Sequence, residues 1–141
     1  MKLIIYTDGA SRGNPGPASY GFTIQDEKGN LLHQKGAYIG ITTNNVAEYS
    51  AVLYALKYIL EKFSANLPLS ISCYADSQLV ASQLSGQFKI KSQRLKPLIL
   101  QIRNIEKVLG QVEYTHVRRH LNQQADQLAN LALDNQLKLA S

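Results

Sequence analysis

The chain switches between two hydrophobic periods, and the switches mark its elements. Residues 2–8 (KLIIYTD) form a β-branched, apolar run, which predicts a strand buried on both faces. Residues 19–26 and 31–39 read as two more strands, joined by the turn Glu27-Lys28-Gly29-Asn30. Between the first two strands, GASRGNPGPASYG is punctuated by Gly, Pro and Asn and is expected to be a turn. From Asn45 the period lengthens: Val46, Tyr49, Leu53, Leu56, Leu60 and Phe63 recur every three or four residues and mark one face of a long helix, with Pro68 closing that region. Residues 69–76 alternate again, with Leu69, Ile71, Cys73 and Ala75 pointing one way. A short helix is predicted over 77–85. Leu95, Leu98, Ile102, Ile105 and Leu109 give another helical stripe, which tolerates Pro97 only near its first turn. Residues 111–117 read as a fifth strand, and Ala125, Leu128, Ala129 and Ala132 mark a final helix with Asn122 as its N-cap. The order βββαβααβα predicts an α/β domain with a mixed sheet, an antiparallel meander followed by parallel additions.

Composition narrows the class. With 141 residues, the chain is expected to be one domain, 1–141, able to bury a core without a disulfide or zinc staple. Its lone cysteine, Cys73, falls on the buried side of an alternating strand and reads as a core thiol, which fits a reducing, cytoplasmic setting. No apolar run approaches the roughly 20 residues a membrane helix needs, and the strand pattern starts at the N-terminus, so neither a membrane span nor a signal peptide is expected. The net charge of +5 allows a polyanionic partner such as nucleic acid.

The candidate chemistry lies in the acids. Of ten acidic residues, four stand at the end of a strand or the start of a helix: Asp8, Glu48, Asp76 and Asp126. Sites in such sheets collect at the carboxyl ends of strands. A few convergent carboxylates suit magnesium, which prefers hard oxygen ligands and keeps part of its shell for water and phosphate. Each acid also has a local explanation. Asp8 before Gly9 is a turn former. Asn45-x-x-Glu48 is a capping box. Asp76 suits an N-cap, and Asp126 in a first helical turn favours the macrodipole. Spacing alone leaves both readings open.

The residues around the acids separate them. YTDGASRGNPGPASYG at 6–21, TTNNVAEYSA at 42–51, YADSQLV at 74–80 and HVRRHLNQQADQLAN at 116–130 resemble, in order, the four signature blocks of ribonuclease H type 1. The resemblance covers nearly the whole chain. It implies a five-stranded mixed sheet, three antiparallel then two parallel strands, flanked by helices on both faces. It implies an endonuclease that hydrolyses the RNA strand of RNA–DNA hybrids and leaves 5′-phosphate and 3′-hydroxyl ends. Asp8, Glu48, Asp76 and Asp126 are implied as ligands of two Mg²⁺ ions, with Mn²⁺ as a substitute. His116 matches a loop histidine that assists proton transfer or product release, a task that suits imidazole near neutral pH. Arg119 and the adjacent His120 compete for that role. The family reads 2′-hydroxyls through main-chain and amide groups, which implies Gly9, Ser11, Asn14, Asn44, Asn45 and Gln78 as substrate contacts. Thr43 matches a position that helps hold a DNA-strand phosphate, and Asn122, Lys89 and Lys91 complete the expected binding set.

The chain departs from the family pattern in its binding apparatus. The basic protrusion of the best-known bacterial members is missing from the interval between Asp76 and Asp126. An arginine that some members carry two residues before the Thr43 position is Ile41 here. There is no tryptophan, and no separate hybrid-binding module is expected. The cationic footprint reduces to Arg12, Lys89, Lys91, Arg94, Lys96, Arg118 and Arg119, with GQFKIKSQRLK and its Phe88 as the substitute loop. A monomer with no obligatory protein partner is expected. The alternatives are a broader nuclease that also cuts RNA–RNA duplexes, and a non-catalytic nucleic-acid-binding domain. The second is disfavoured because massed acids facing phosphates do not serve a binder.

Overall fold

The computed structural model describes residues 1–86 and 92–140. The strands are β1 (Lys2–Ser11), β2 (Gly16–Asp26), β3 (Leu31–Thr42), β4 (Leu69–Ala75) and β5 (Gly110–His116). The helices are α1 (Asn44–Lys62), α2 (Gln78–Leu84), α3 (Lys96–Leu109) and α4 (Gln123–Ala140). The sheet order is β3-β2-β1-β4-β5. β1 and β3 pair antiparallel with β2, while β4 runs parallel to both β1 and β5. This is the mixed sheet and the element order expected from the periodicity.

Two glycines show how helices cover both faces. A Cβ on Gly9 would fall 2.4 Å from the α1 backbone at Ala47 and Glu48. One on Gly21 would fall 2.3 Å from the Ala125 carbonyl of α4. Gly9 pairs with Tyr20, so Gly9 and Gly21 point to opposite sides of the pleat, and α1 and α4 lie on opposite faces. The helices approach that closely because the strands carry no side chain there. α3 lies over α1, so α1 is enclosed on most of its circumference, and Ala47, Ser50, Ala51, Val52 and Ala55 are buried along with Tyr49, Leu53 and Leu56 of the expected stripe.

Several local expectations are corrected. The Gly/Pro-rich stretch after Asp8 is mostly strand: Gly9, Ala10 and Ser11 pair with Tyr20, Ser19 and Ala18, and the turn shrinks to residues 12–15. Ladder hydrogen bonds across the sheet outweigh the turn preference of those residues. β1 is buried on one face, with Leu3, Ile5 and Thr7 inside, while Ile4 and Tyr6 stay half-exposed on the other. The turn at 27–30 is as expected, and the Asp26 carboxylate accepts from the Lys28 and Asn30 backbone N–H groups. α1 is capped by Thr43, whose hydroxyl accepts from Val46 N–H at 3.3 Å, and not by Asn45. Ser77, not Asp76, caps α2. Pro97 sits in the first turn of α3. Cys73 is buried and free, and burial pushes its thiol up to about 12. No helix among the described residues is long and apolar enough to cross a membrane.

Candidate active site

Four elements deliver one acid each to the carboxyl end of β1. Asp8 lies within β1 opposite Gly21, where sheet pairing on β2 fixes its backbone. It is therefore no turn former. Asp76 is the first residue past β4, beside the Thr7–Ala75 pair of the β1–β4 ladder. Glu48 lies in the second turn of α1, past the reach of a capping box that starts at Thr43. Asp126 lies in the first turn of α4, its N–H bonded to the Asn122 carbonyl. The bare glycine at position 9 lets α1 settle on β1 and brings Glu48 beside Asp8.

One carboxylate oxygen from each of Asp8, Glu48 and Asp76 lies within 4.8 Å of the other two. Asp8 is 4% exposed and Glu48 6%. Burial raises the Asp8 carboxyl far above the ordinary carboxylate range, and the charges of Glu48 and Asp76 add to the effect. Glu48 is raised for the same reason, by burial first and by Asp76 next, against a backbone hydrogen bond from Gly9. Such a set is poorly stabilised by itself and is complementary to a divalent cation in charge, spacing and ligand hardness. Asp126 interacts with Asp8 and Glu48 and completes the cluster.

The acids line a cleft of about 390 Å³, together with Gly9, Ala10, Ser11, Asn44, Arg119 and Asn130. Arg119 begins a short 3-10 turn, Arg119–Leu121, and reaches to 3.5 Å from Asp126 with its side chain 79% exposed. On the other side of Asp126, Asn130 donates to its carboxylate at 3.2 Å and to its backbone carbonyl at 2.9 Å. Arg12 in turn donates to Asn130 at 3.3 Å and pairs with Asp134 at 2.7 Å, so its charge is spent on α4 and not held out to solvent alone.

The remaining expected residues are placed as follows. His116 ends β5 beside Ala75 and is exposed, outside the cleft lining. His120 lines a separate cleft with Tyr6 and Gln25. Asn14 lies in the β1–β2 turn, where its carboxamide oxygen accepts from Asn44 N–H at 3.0 Å and ties that turn to the start of α1. Thr43 and Asn45 flank Asn44 at the same helix start, and Gln78 opens α2 two residues past Asp76. Asn122 is 2% exposed and does not cap α4. Its amide donates to the Thr7 carbonyl at 2.7 Å and its oxygen has no partner, so it braces the strand behind Asp8. Lys89, Lys91 and Phe88 lie outside the described residues. Asn130 was not anticipated. Its spacing of four from Asp126 on a predicted helix was the available signal.

The family model described as reverse transcriptase-like matches residues 6–132. The ribonuclease HI of Halobacterium salinarum is 38% identical over 134 residues, 95% of this chain and 65% of that protein. A bifunctional protein of Mycobacterium tuberculosis is 36% identical over 135 residues, but the chain spans 36% of its length. The crystal structure of LC11-RNase H1 in complex with RNA/DNA hybrid superposes with a TM-score of 0.93 at 42% identity, covering 96% of this chain and 99% of that one. With the four acids, the sheet order and the likeness all running along the same span, the chain belongs to the ribonuclease H type 1 family.

Proposed function

We propose that residues 1–141 form a catalytic domain that hydrolyses the RNA strand of RNA–DNA hybrids with two divalent cations, Mg²⁺ or in its place Mn²⁺, leaving 5′-phosphate and 3′-hydroxyl ends. The observation that carries this is the meeting of Asp8, Glu48 and Asp76 within 4.8 Å, with Asp126 in the same cleft. Likeness to a type 1 enzyme solved with RNA/DNA hybrid supports the choice of substrate. Bound cations supply an activated water and stabilise the leaving oxygen in in-line displacement. The four carboxylates hold and space them, with Asn130 and Arg119 fixing Asp126 from two sides. The Arg119 guanidinium is a planar fork of donors, so its part is to hold phosphate charge. Imidazole suits proton transfer, and His116 beside the end of β4 is the candidate. Gly9, Ser11 and Asn44 on the cleft wall are the proposed 2′-hydroxyl contacts, with Asn14, Asn45 and Gln78 next to them and Thr43 for a DNA phosphate. A buried lone thiol at Cys73 suits the reducing cytoplasm.

The test is a panel of labelled RNA–DNA, RNA–RNA, DNA–DNA and branched duplexes, each with Mg²⁺, Mn²⁺ or EDTA. Internal cutting of the hybrid's RNA strand with metal, and none with EDTA, is expected. Intact hybrid in the presence of metal, with Asp8→Asn behaving identically, would overturn the assignment. Equal cutting of RNA–RNA would move it to a broader duplex nuclease.

A further inference from the structure

A second cleft, of about 570 Å³, opens between the later turns of α1 and the edge strand β3. It shares no residue with the carboxylate cleft. Counted along α1 from Glu48, its aromatic residues Tyr54 and Tyr58 stand about 9 and 15 Å away along the helix axis. Its floor is the buried pair Tyr20 and Phe22. Its walls are two parallel ring stacks: Tyr20 on Tyr54 at 4.9 Å and His33 on Tyr58 at 3.8 Å, with interplanar angles of 5° and 4°. Tyr54 remains 40% exposed, and the Lys57 ammonium lies 5.1 Å from its ring centroid.

The rim is cationic. Lys35 stands on β3, while Lys57 and Lys62 stand on α1 across from it. Glu61 is the one acid lining this cleft, and it lies 3.9 Å from Lys62. Partly exposed π-faces beside spaced lysines are the combination that takes up nucleobases and their phosphates.

We infer that this cleft is an accessory site for a single-stranded nucleic-acid segment, with bases stacking on the Tyr54, Tyr58 and His33 wall and phosphates meeting Lys35, Lys57 and Lys62. Three features favour this occupant. Flat parallel rings match bases and offer little to an acidic peptide. Base faces are accessible in single strands and hidden in duplexes. Cations spread over both lips suit successive phosphates better than the one of a free nucleotide. His33 is held below the ordinary imidazole range by burial and then by Lys35 and Lys62, so a neutral ring is presented near pH 7. Choosing nucleic acid as the partner rests on the proposed function, but the binding itself needs no metal.

The experiment is fluorescence anisotropy of labelled 12-nucleotide oligo-dT and oligo-rU in EDTA, where cleavage cannot occur. Binding by the wild-type chain is expected. Lys35→Glu/Lys57→Glu/Lys62→Glu, all at exposed positions, should weaken it tenfold or more. The control reversal Lys2→Glu/Lys28→Glu/Lys107→Glu, equal in charge and also exposed, should weaken it far less. Tyr54→Ala should cost roughly fivefold or more, the lower end of the range of one lost base stack. Absence of binding, equal losses in the two triple variants, or an unchanged Tyr54→Ala would each overturn the inference. Competition by mononucleotide as effective as by oligonucleotide would overturn the strand as occupant. Loss of hybrid cleavage with retained oligonucleotide binding would strike the proposed function and leave this site standing.

Discussion

The carboxylates and the cations at their rim are carried by different kinds of backbone. Asp8 is locked into the central strand, Glu48 and Asp126 stand inside long helices, and Asp76 directly follows a fully paired strand. Arg119 begins a three-residue turn, and Arg12 projects from the β1–β2 turn and is tied to α4. Acids that must converge within a few ångströms against their own repulsion need a frame that does not yield. Cations that meet a polymer backbone need reach, and lose little if they move. The difference predicts that removing a charge at the centre lowers activity and raises stability, that disturbing its frame lowers both, and that changes at the rim alter activity alone.

The largest effect is expected from Asp8→Asn. Hybrid cleavage should fall by roughly a thousandfold, the several kcal/mol a cation contributes to the transition state. Stability of the metal-free protein should rise by about 3–5 °C in Tm near neutral pH, because the burial of an ionisable carboxyl, and after it the charges of Glu48 and Asp76, no longer opposes folding. The pH dependence carries the sign. The Asp8 and Glu48 carboxyls are raised in the folded state, so folding takes up protons. The stability they contribute is fully present below the ordinary carboxylate range and is lost as pH rises through their folded values, about 8 for Glu48 and about 10 for Asp8. Thermal melts in EDTA should therefore show wild type and Asp8→Asn converging at acid pH and separating as pH rises. Adding Mg²⁺ should close the gap from the wild-type side. A gap independent of pH would show that the centre is not electrostatically strained.

Gly9→Ala tests the frame without touching a charge. The added methyl would meet the α1 backbone at 2.4 Å, and backbone cannot swing aside as a side chain can. Overpacking of this kind should lower Tm by roughly 10 °C. Displacing Glu48 by even 1 Å should cut activity about a hundredfold. Activity preserved at a temperature where the variant is folded would mean that Glu48 does not depend on this contact.

That glycine also marks the limit of what the sequence discloses. Periodicity disclosed the element order, because one-sided burial writes itself into spacing of two or of three to four. It did not disclose that Gly9 and Ala10 are strand, since their pairing with Tyr20 and Ser19 is a contact with residues ten places away. It understated α1, whose small residues Ala47, Ala51 and Ala55 are buried although the stripe of large residues does not mark them. The four acids were visible as candidates, each with a local explanation. Three of those explanations fail on backbone detail: Thr43 and Ser77 hold the caps, and Asp8 lies in a ladder. Asn122 reversed its part for a comparable reason, turning its amide to Thr7 across 115 positions of sequence, a distance no local motif spans.

The smallest effect separates two residues of the rim that sequence left as rivals. Arg119 lines the cleft 3.5 Å from Asp126, while His116 lies outside it at the end of β5. Arg119→Ala should lower kcat/KM by about tenfold, the loss of one charge-assisted contact to phosphate, with no change in Tm because the side chain is so exposed. Arg119→Lys should recover part of it, since charge is kept and the two-pronged geometry is not. The wild-type advantage over Arg119→Ala should shrink as salt rises, because a rim cation acts through screened solvent. His116→Ala should cost less than Arg119→Ala. A larger loss for His116→Ala, insensitive to salt and to the residue at 119, would transfer the principal role at the rim from phosphate binding to proton transfer.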